Sequence, residues 1–317
     1  MKQKKITSII LLLILAALTA CSAATQAPTQ LPSPQPTVTA QPTALPTATT
    51  KPKPMGVYID EDLPGATPER FGEAFFRGSF HSSPVFAPDG KTVWWGGEYG
   101  SATIYTSQFQ SDGWTDPATI AFSDSIRSYR DPFISPDGRR MFYISTASIP
   151  GAVASAKENI WMMEKEEDGW SEPQPLPDSI NALDLHWTMS VNDNYDLYFS
   201  AGPQGNKDIF VSRFIYGEYT EPVALEATVN SGEMEITPNI APDGSYLLFT
   251  RYFSADEDPF LYISYATDSG WSEAVKVENI PYCISPIITP DRSYLIFMSS
   301  PSSFSWRDTT FIEELRP

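Results

Sequence analysis

Only two histidines occur in the 317 residues, His81 and His186. Each falls in a tripeptide that has counterparts along the chain: His81-Ser82-Ser83, Tyr129-Arg130-Asp131, Leu185-His186-Trp187, Glu235-Ile236-Thr237 and Cys283-Ile284-Ser285. Aligned, the five tripeptides form three columns, and these gather both imidazoles with a guanidinium, two carboxylates and an indole. Such a set has two chemical uses. Convergent polar groups beside an aromatic ring hold a small polar ligand or a sugar. Two carboxylates facing each other across a glycosidic bond hydrolyse it. The candidate ligand residues are therefore His81, Tyr129, Arg130, Asp131, His186, Trp187, Glu233 and Glu235, with Asp131 and Glu235 as the catalytic alternative; the competing reading is a set of ordinary solvated loop residues. No G-x-S-x-G, H-E-x-x-H, Walker loop or Cys-x-x-Cys is present, so no cofactor is implied. No metal site is expected either, because the histidines would have to share an ion with Asp131 or Glu235 from a different segment.

The columns exist because the chain repeats itself. Ser83-Pro84-Val85-Phe86-Ala87-Pro88-Asp89-Gly90 returns as Asp131-Pro132-Phe133-Ile134-Ser135-Pro136-Asp137-Gly138, as Thr237-Pro238-Asn239-Ile240-Ala241-Pro242-Asp243-Gly244, and as Ser285-Pro286-Ile287-Ile288-Thr289-Pro290-Asp291-Arg292. A divergent copy ends in Asn192-Asp193-Asn194. The repeat aspartates stand at 89, 137, 193, 243 and 291, so the spacing is 48, 56, 50 and 48 residues. Pro pre-sets the second position of a type I turn and Gly closes it. Asn194 is expected to take the role of Gly, and Arg292 to loosen its turn. A strand follows each turn (Val93-Trp94-Trp95, Met141-Phe142-Tyr143, Leu197-Tyr198-Phe199, Leu247-Leu248-Phe249, Leu295-Ile296-Phe297), then a third strand, a Gly-aromatic turn and a short fourth strand. Four short strands in just under fifty residues make a propeller blade. Trp114, Trp170, Tyr219 and Trp271 recur with the blades and read as packing residues.

The fold expected is all-β, a five-bladed β-propeller over residues 55–317, with six blades as the alternative. The fifth repeat runs out before a fourth strand, and residues 68–80 are expected to supply it and close the ring, which removes an open sheet edge. The tripeptide columns then line the mouth of the central channel.

The Pro-Asp-Gly repeats resemble the WD40-like PD40 repeat of TolB-like propellers over about residues 64–317. The resemblance implies the fold and an extracytoplasmic setting, and it carries over no catalytic residue. Separately, Tyr129-Arg130-Asp131-Pro132-Phe133 resembles the Arg-Asp-Pro segment near the catalytic base of five-bladed glycosidases. That likeness supports a glycan-active hydrolase or lyase as the alternative, with Glu235 or Glu233 as the second carboxylate.

Upstream, Lys2, Lys4 and Lys5 precede an apolar run from Ile9 to Ala17 that ends in Leu18-Thr19-Ala20-Cys21. This reads as a bacterial signal peptide over residues 1–21, with Cys21 as the lipidated first residue of the mature chain. Residues 22–54 hold eight prolines and no aromatic residue. They read as a disordered Pro/Thr-rich tether reaching about 100 Å at ~3.1 Å per residue. The net charge is −18, and removal of the three leader lysines takes the mature chain to −21. Such a polyanion is repelled by nucleic acid and anionic headgroups, so contact with a membrane falls to the lipid alone. With Cys21 acylated, Cys283 has no disulfide partner. The expected function is that of a monomeric, lipid-anchored extracytoplasmic binding module for an envelope protein, peptide or glycan.

Overall fold

The computed structural model describes residues 58–97, 103–120, 128–151, 157–203, 205–253 and 257–317. The signal segment, Cys21 and the tether lie outside the described residues. Among the described residues five antiparallel sheets form, one per repeat, with a small two-stranded sheet of Phe214–Ile215 and Glu218–Tyr219 besides. Blade 1 is built from Val85–Phe86, Thr92–Gly97, Thr103–Gln110 and Ala118–Thr119. Blade 2 uses Tyr129–Ile134, Arg140–Ser145, Asn159–Glu166 and Gln174–Pro175; blade 3 uses Leu185–Val191, Leu197–Ala201, Asp208–Ser212 and Val223–Ala224. Blade 4 uses Met234–Ile240, Tyr246–Tyr252, Phe260–Thr267 and Val275–Lys276. Blade 5 takes Ile284–Ile288, Tyr294–Ser300 and Ser303–Asp308 from the end of the chain and Glu69–Phe71 from its start.

That last pairing closes the ring, with five blades rather than six. Glu69 faces Trp306 and Phe71 faces Phe304. Phe71 is 1% exposed and its ring lies 4.7 Å from that of Trp306. Only three residues of the 68–80 segment form the strand. The remainder turns back and packs Phe76 against Trp95 and Phe304, at 5.0 and 5.2 Å. The helix Thr310–Glu314 follows the last strand and sets Phe311 and Ile312 into the core beside Tyr246 and Tyr265 of blade 4.

The core lies between blades. The middle strands are buried on both faces, as in Met141 to Ser145 and Leu197 to Ala201, which is why they read as continuous apolar runs. The Gly-aromatic turns pack onto the preceding blade: Trp170 stands edge-on to Trp94 at 6.3 Å, and Trp271 edge-on to Tyr198 at 6.3 Å.

The turns hold the blades together as well as shaping them. The Asp of each Pro-Asp-Gly turn accepts the backbone N–H two residues on, as in Lys91 to Asp89 (2.9 Å) and Ser245 to Asp243 (3.0 Å). Two expectations are corrected here. The left-handed position of the divergent turn is held by Tyr195 (φ 63°), not by Asn194, and the turn closes from Tyr195 N–H to Asn192 C=O. The Arg292 turn is not loosened: φ is 61° and its N–H reaches Thr289 C=O at 2.8 Å, as in the glycine turns. Both residues compensate the strain with a side-chain contact to the preceding blade that Gly cannot make. The Tyr195 hydroxyl donates to Asp137, and Arg292 donates to Asp243 at 2.7 Å.

Candidate functional site

The tripeptide columns begin the innermost strands, and each of blades 2 to 5 has an irregularity there. The pairing register slips between Arg130 and Phe133, Leu185 and Met189, Ile236 and Asn239, and Ile284 and Ile287. Within each slip one non-glycine residue takes a positive φ: Asp131 (52°), Trp187 (64°), Thr237 (52°) and Ser285 (52°). Such a conformation costs roughly 1–3 kcal/mol per residue, and four repeats of it need a structural return.

In blades 4 and 5 the return is a forward clasp. Ser285 N–H donates to Thr237 Oγ1 at 3.3 Å, and Ser83 N–H of blade 1 donates to Ser285 Oγ at 3.0 Å. Thr237 and Ser285 are therefore scaffold. In blades 2 and 3 the same slot is diverted onto a single target. Asp131 accepts from His81 Nδ1 at 2.8 Å through Oδ1 and 3.0 Å through Oδ2. Trp187 Nε1–H donates to the His81 carbonyl at 2.8 Å, and its ring tilts over the imidazole at 5.3 Å. His186 lies on the indole at 5.0 Å.

The close approach of blades 1 and 2 depends on Gly96. A Cβ there would lie 3.2 Å from the Asp131 backbone nitrogen and from Ser82 Oγ. Asp131 is fully buried and His81 nearly so, at 0% and 8% exposed. Burial is the largest influence on His81 and pulls its pKa down, but the charge and hydrogen bond of Asp131 outweigh it and leave the imidazole above its ordinary value. With Nδ1 committed to Asp131, Nε2 is the ring nitrogen left for a ligand, as a donor when the ring is charged.

Glu158, just before the third strand of blade 2, completes the cluster. It accepts from His186 Nδ1 at 3.4 Å. Burial raises its pKa, and the His186 hydrogen bond with the charges of His186, His81 and Arg130 brings it below the ordinary value. Arg130 Nε donates to Ser128 Oγ at 2.7 Å. The structure thus brings together His81, Arg130, Asp131, His186 and Trp187 and adds Glu158, which the column alignment omits. Its position immediately before a third strand, where the rim loop ends, was the available signal.

Three candidates stand elsewhere. Tyr129 is 5% exposed and packs against Tyr143 in the core. Glu235 is 0% exposed; it accepts from Arg251 Nε at 2.7 Å and from Ser231 Oγ at 2.5 Å, and burial raises its pKa against those contacts. Glu233 is half-buried and its N–H donates to Ser231 Oγ at 3.1 Å. Cys283 is fully buried, which pushes its thiol well up and removes its nucleophilicity. Among the described residues no cluster of three His, Cys, Asp or Glu could hold a metal. At the turn end the channel holds a cavity of about 80 Å³ walled by Val85, Phe133, Val191, Ile240 and Ile287, with Ser135, Asn239, Thr289 and the turn prolines.

The fold and this mouth define the class: a five-bladed β-propeller with a polar cluster on blades 1 to 3. Neither a family model nor a curated protein matches the sequence. Among solved structures the chain is similar to TolB from Acinetobacter baumannii, at 15% identity and a TM-score of 0.46 over 71% of this chain and 53% of that one. It therefore spans about half the length of TolB. It is also similar to XC5397 of Xanthomonas campestris, a gluconolactonase (11% identity, TM-score 0.46, 81% and 98% covered), and to the GH62 α-L-arabinofuranosidase domain of Coprinopsis cinerea (13% identity, TM-score 0.48, 77% and 94% covered). At these identities the likeness is one of fold.

Proposed function

We propose that this chain is a lipid-anchored extracytoplasmic propeller that binds a polar ligand of the cell envelope at the mouth formed by blades 1 to 3, and that a glycan end is the chemistry this mouth fits. The observation carrying the reading is the pair of contacts that hold His81, from Asp131 at 2.8 Å and from Trp187 at 2.8 Å. They orient an imidazole edge beside an indole face, with Glu158 as acceptor and Arg130 as a nearby cation. A sugar ring presents an apolar face to stack and hydroxyls that both donate and accept, so it suits this mixture.

The anchor and setting rest on the leader, on Cys21 and on the resemblance to PD40 repeats. No helix among the described residues is long and apolar enough to cross a membrane. The hydrolytic alternative, Asp131 with Glu235 or Glu233, is disfavoured because Asp131, common to both pairs, is 0% exposed and tied to His81, and Glu235 is 0% exposed and tied to Arg251. A general acid and base must reach the glycosidic oxygen and a water.

The test is a glycan array and a pull-down with the mature chain, repeated with Trp187→Ala and His81→Gln. Loss of the bound glycan in both variants supports the reading, and retention in both overturns it. Hydrolysis of a bound glycan, abolished by Asp131→Ala, would replace it. Detergent partition of Cys21→Ser tests the anchor, because an unlipidated chain leaves the detergent phase.

A further inference from the structure

The five turn-end joints are not equivalent. Blade 3 is tied to blade 2 by Tyr195 on Asp137, and to blade 4 by Asp193 N–H on the Pro242 carbonyl at 2.7 Å. Blade 5 is tied to blade 4 by Arg292 on Asp243, at 2.7 Å. Tyr58 bridges the closing joint, lying edge-on to Phe86 of blade 1 at 5.2 Å and to Tyr294 of blade 5 at 6.1 Å. Between blades 1 and 2 the turns exchange no hydrogen bond among the described residues, and the joint is held by the edge-on contact of Trp170 with Trp94 at 6.3 Å. There Gly138 faces Pro88, and the Asp89 carboxylate bonds only to the N–H of Lys91 in its own turn. At this joint a cleft of about 1020 Å³ opens, far larger than the channel cavity.

The wall of the cleft is aromatic and its rim is acidic. Trp94 and Trp170 form one side, and Asp89, Asp137, Asp168 and Glu172 stand around it. All four carboxylates belong to exposed residues. Asp137 is engaged by Tyr195, which leaves three. One cation, Lys165, lines the cleft and lies over the Trp170 ring at 5.0 Å, so this indole face already accepts a positive charge. Lys91 and Arg139 directly follow the two turns in sequence.

We propose that this cleft is a docking groove for a basic segment of a partner protein, with a Lys or Arg side chain laid against Trp170 and paired with Asp89 and Asp168. Charge complementarity selects the occupant: a chain carrying −18 overall repels anionic partners and steers cationic ones, while the indole pair gives the groove an anchor that bare surface carboxylates lack. This surface is separate from the channel mouth, so it stands or falls independently of the glycan reading.

The probe is a fluorescein-labelled (Arg-Ala-Pro)4 peptide, titrated by anisotropy against the mature chain, with (Glu-Ala-Pro)4 as the reference. Saturable binding of the first peptide alone is expected. Trp170→Ala and the double substitution Asp89→Asn/Asp168→Asn are each expected to weaken it about tenfold. The second change leaves the apolar packing in place. Glu218→Gln/Glu221→Gln, an equal change of charge on exposed residues of blade 3, is expected to weaken it less than about twofold. Equal weakening by both double variants would show binding by net charge alone and overturn the proposal. So would a folded Trp170→Ala protein that binds as the wild type does, or a wild type that does not bind.

Discussion

The sharpest consequence of the mouth geometry concerns Asp131→Asn. Asp131 is 0% exposed and its carboxylate takes both oxygens to one partner, His81 Nδ1. The Asn variant retains an acceptor of the same shape but removes the charge that balances a nearly buried imidazolium. A hydrogen bond to a charged group contributes about 1.5–3 kcal/mol, and breaking a buried pair costs about 3–5 kcal/mol. Because one hydrogen bond survives in the variant, the loss expected below about pH 6 is about 2–3 kcal/mol. The pH dependence follows from the raised His81 pKa. The pair's contribution is fully present below the unfolded imidazole value of about 6.5 and is lost as pH rises through the folded value. Without Asp131, burial and Arg130 both oppose the charged ring, so the variant gains relative stability as pH rises. Urea unfolding of both proteins at about pH 5.5 and about pH 9 measures the difference. It should shrink toward high pH. A difference unchanged with pH would refute the imidazolium–carboxylate reading and leave a neutral hydrogen bond in its place.

Other outcomes follow from the ring and its turns. Phe71→Ala removes the side chain that seats the closing strand on Trp306 and should cost about 3–5 kcal/mol in a urea melt; a loss below about 1 kcal/mol would mean that the strand is held by backbone pairing alone. Arg292→Ala retains the positive φ and loses the half-exposed pair with Asp243, for a cost of up to about 1 kcal/mol, whereas Arg292→Gly relieves the strain and should come within about 0.5 kcal/mol of the wild type. A glycine variant less stable than the alanine variant would contradict the strain argument. Cys283 should resist Ellman's reagent at pH 8 in the native state and react fully in guanidinium, since its thiol is buried and its pKa raised; rapid native reaction would show the joint between blades 4 and 5 opening.

Much of the architecture was legible because it is local and repeated. The Pro-Asp-Gly turns and apolar strand runs recur at near-constant spacing, and a fifth repeat short of one strand requires a closing strand from the other end, which Glu69–Phe71 provides. Single-residue conformation was less legible. Nothing in Asn192-Asp193-Asn194-Tyr195 marks Tyr195, rather than Asn194, as the residue with positive φ; its side chain has a partner, Asp137, 58 residues away. The column alignment identified positions at the mouth but not their roles. Asp131, Thr237 and Ser285 share a slot and a φ of 52°, yet Thr237 and Ser285 clasp the next blade while Asp131 reaches back to His81. Glu235, in the same column as His81, turns inward to Arg251.

From the sequence alone came the repeat, the number of blades and the need for closure, because turn chemistry and strand patterning act between near neighbours. Only the tertiary structure decided that His81, Asp131, Trp187 and Glu158 form one cluster. Trp187 is 106 residues from the carbonyl it holds, and whether a polar residue in a repeated slot serves the scaffold or the ligand depends on which blade its bulge aims it toward.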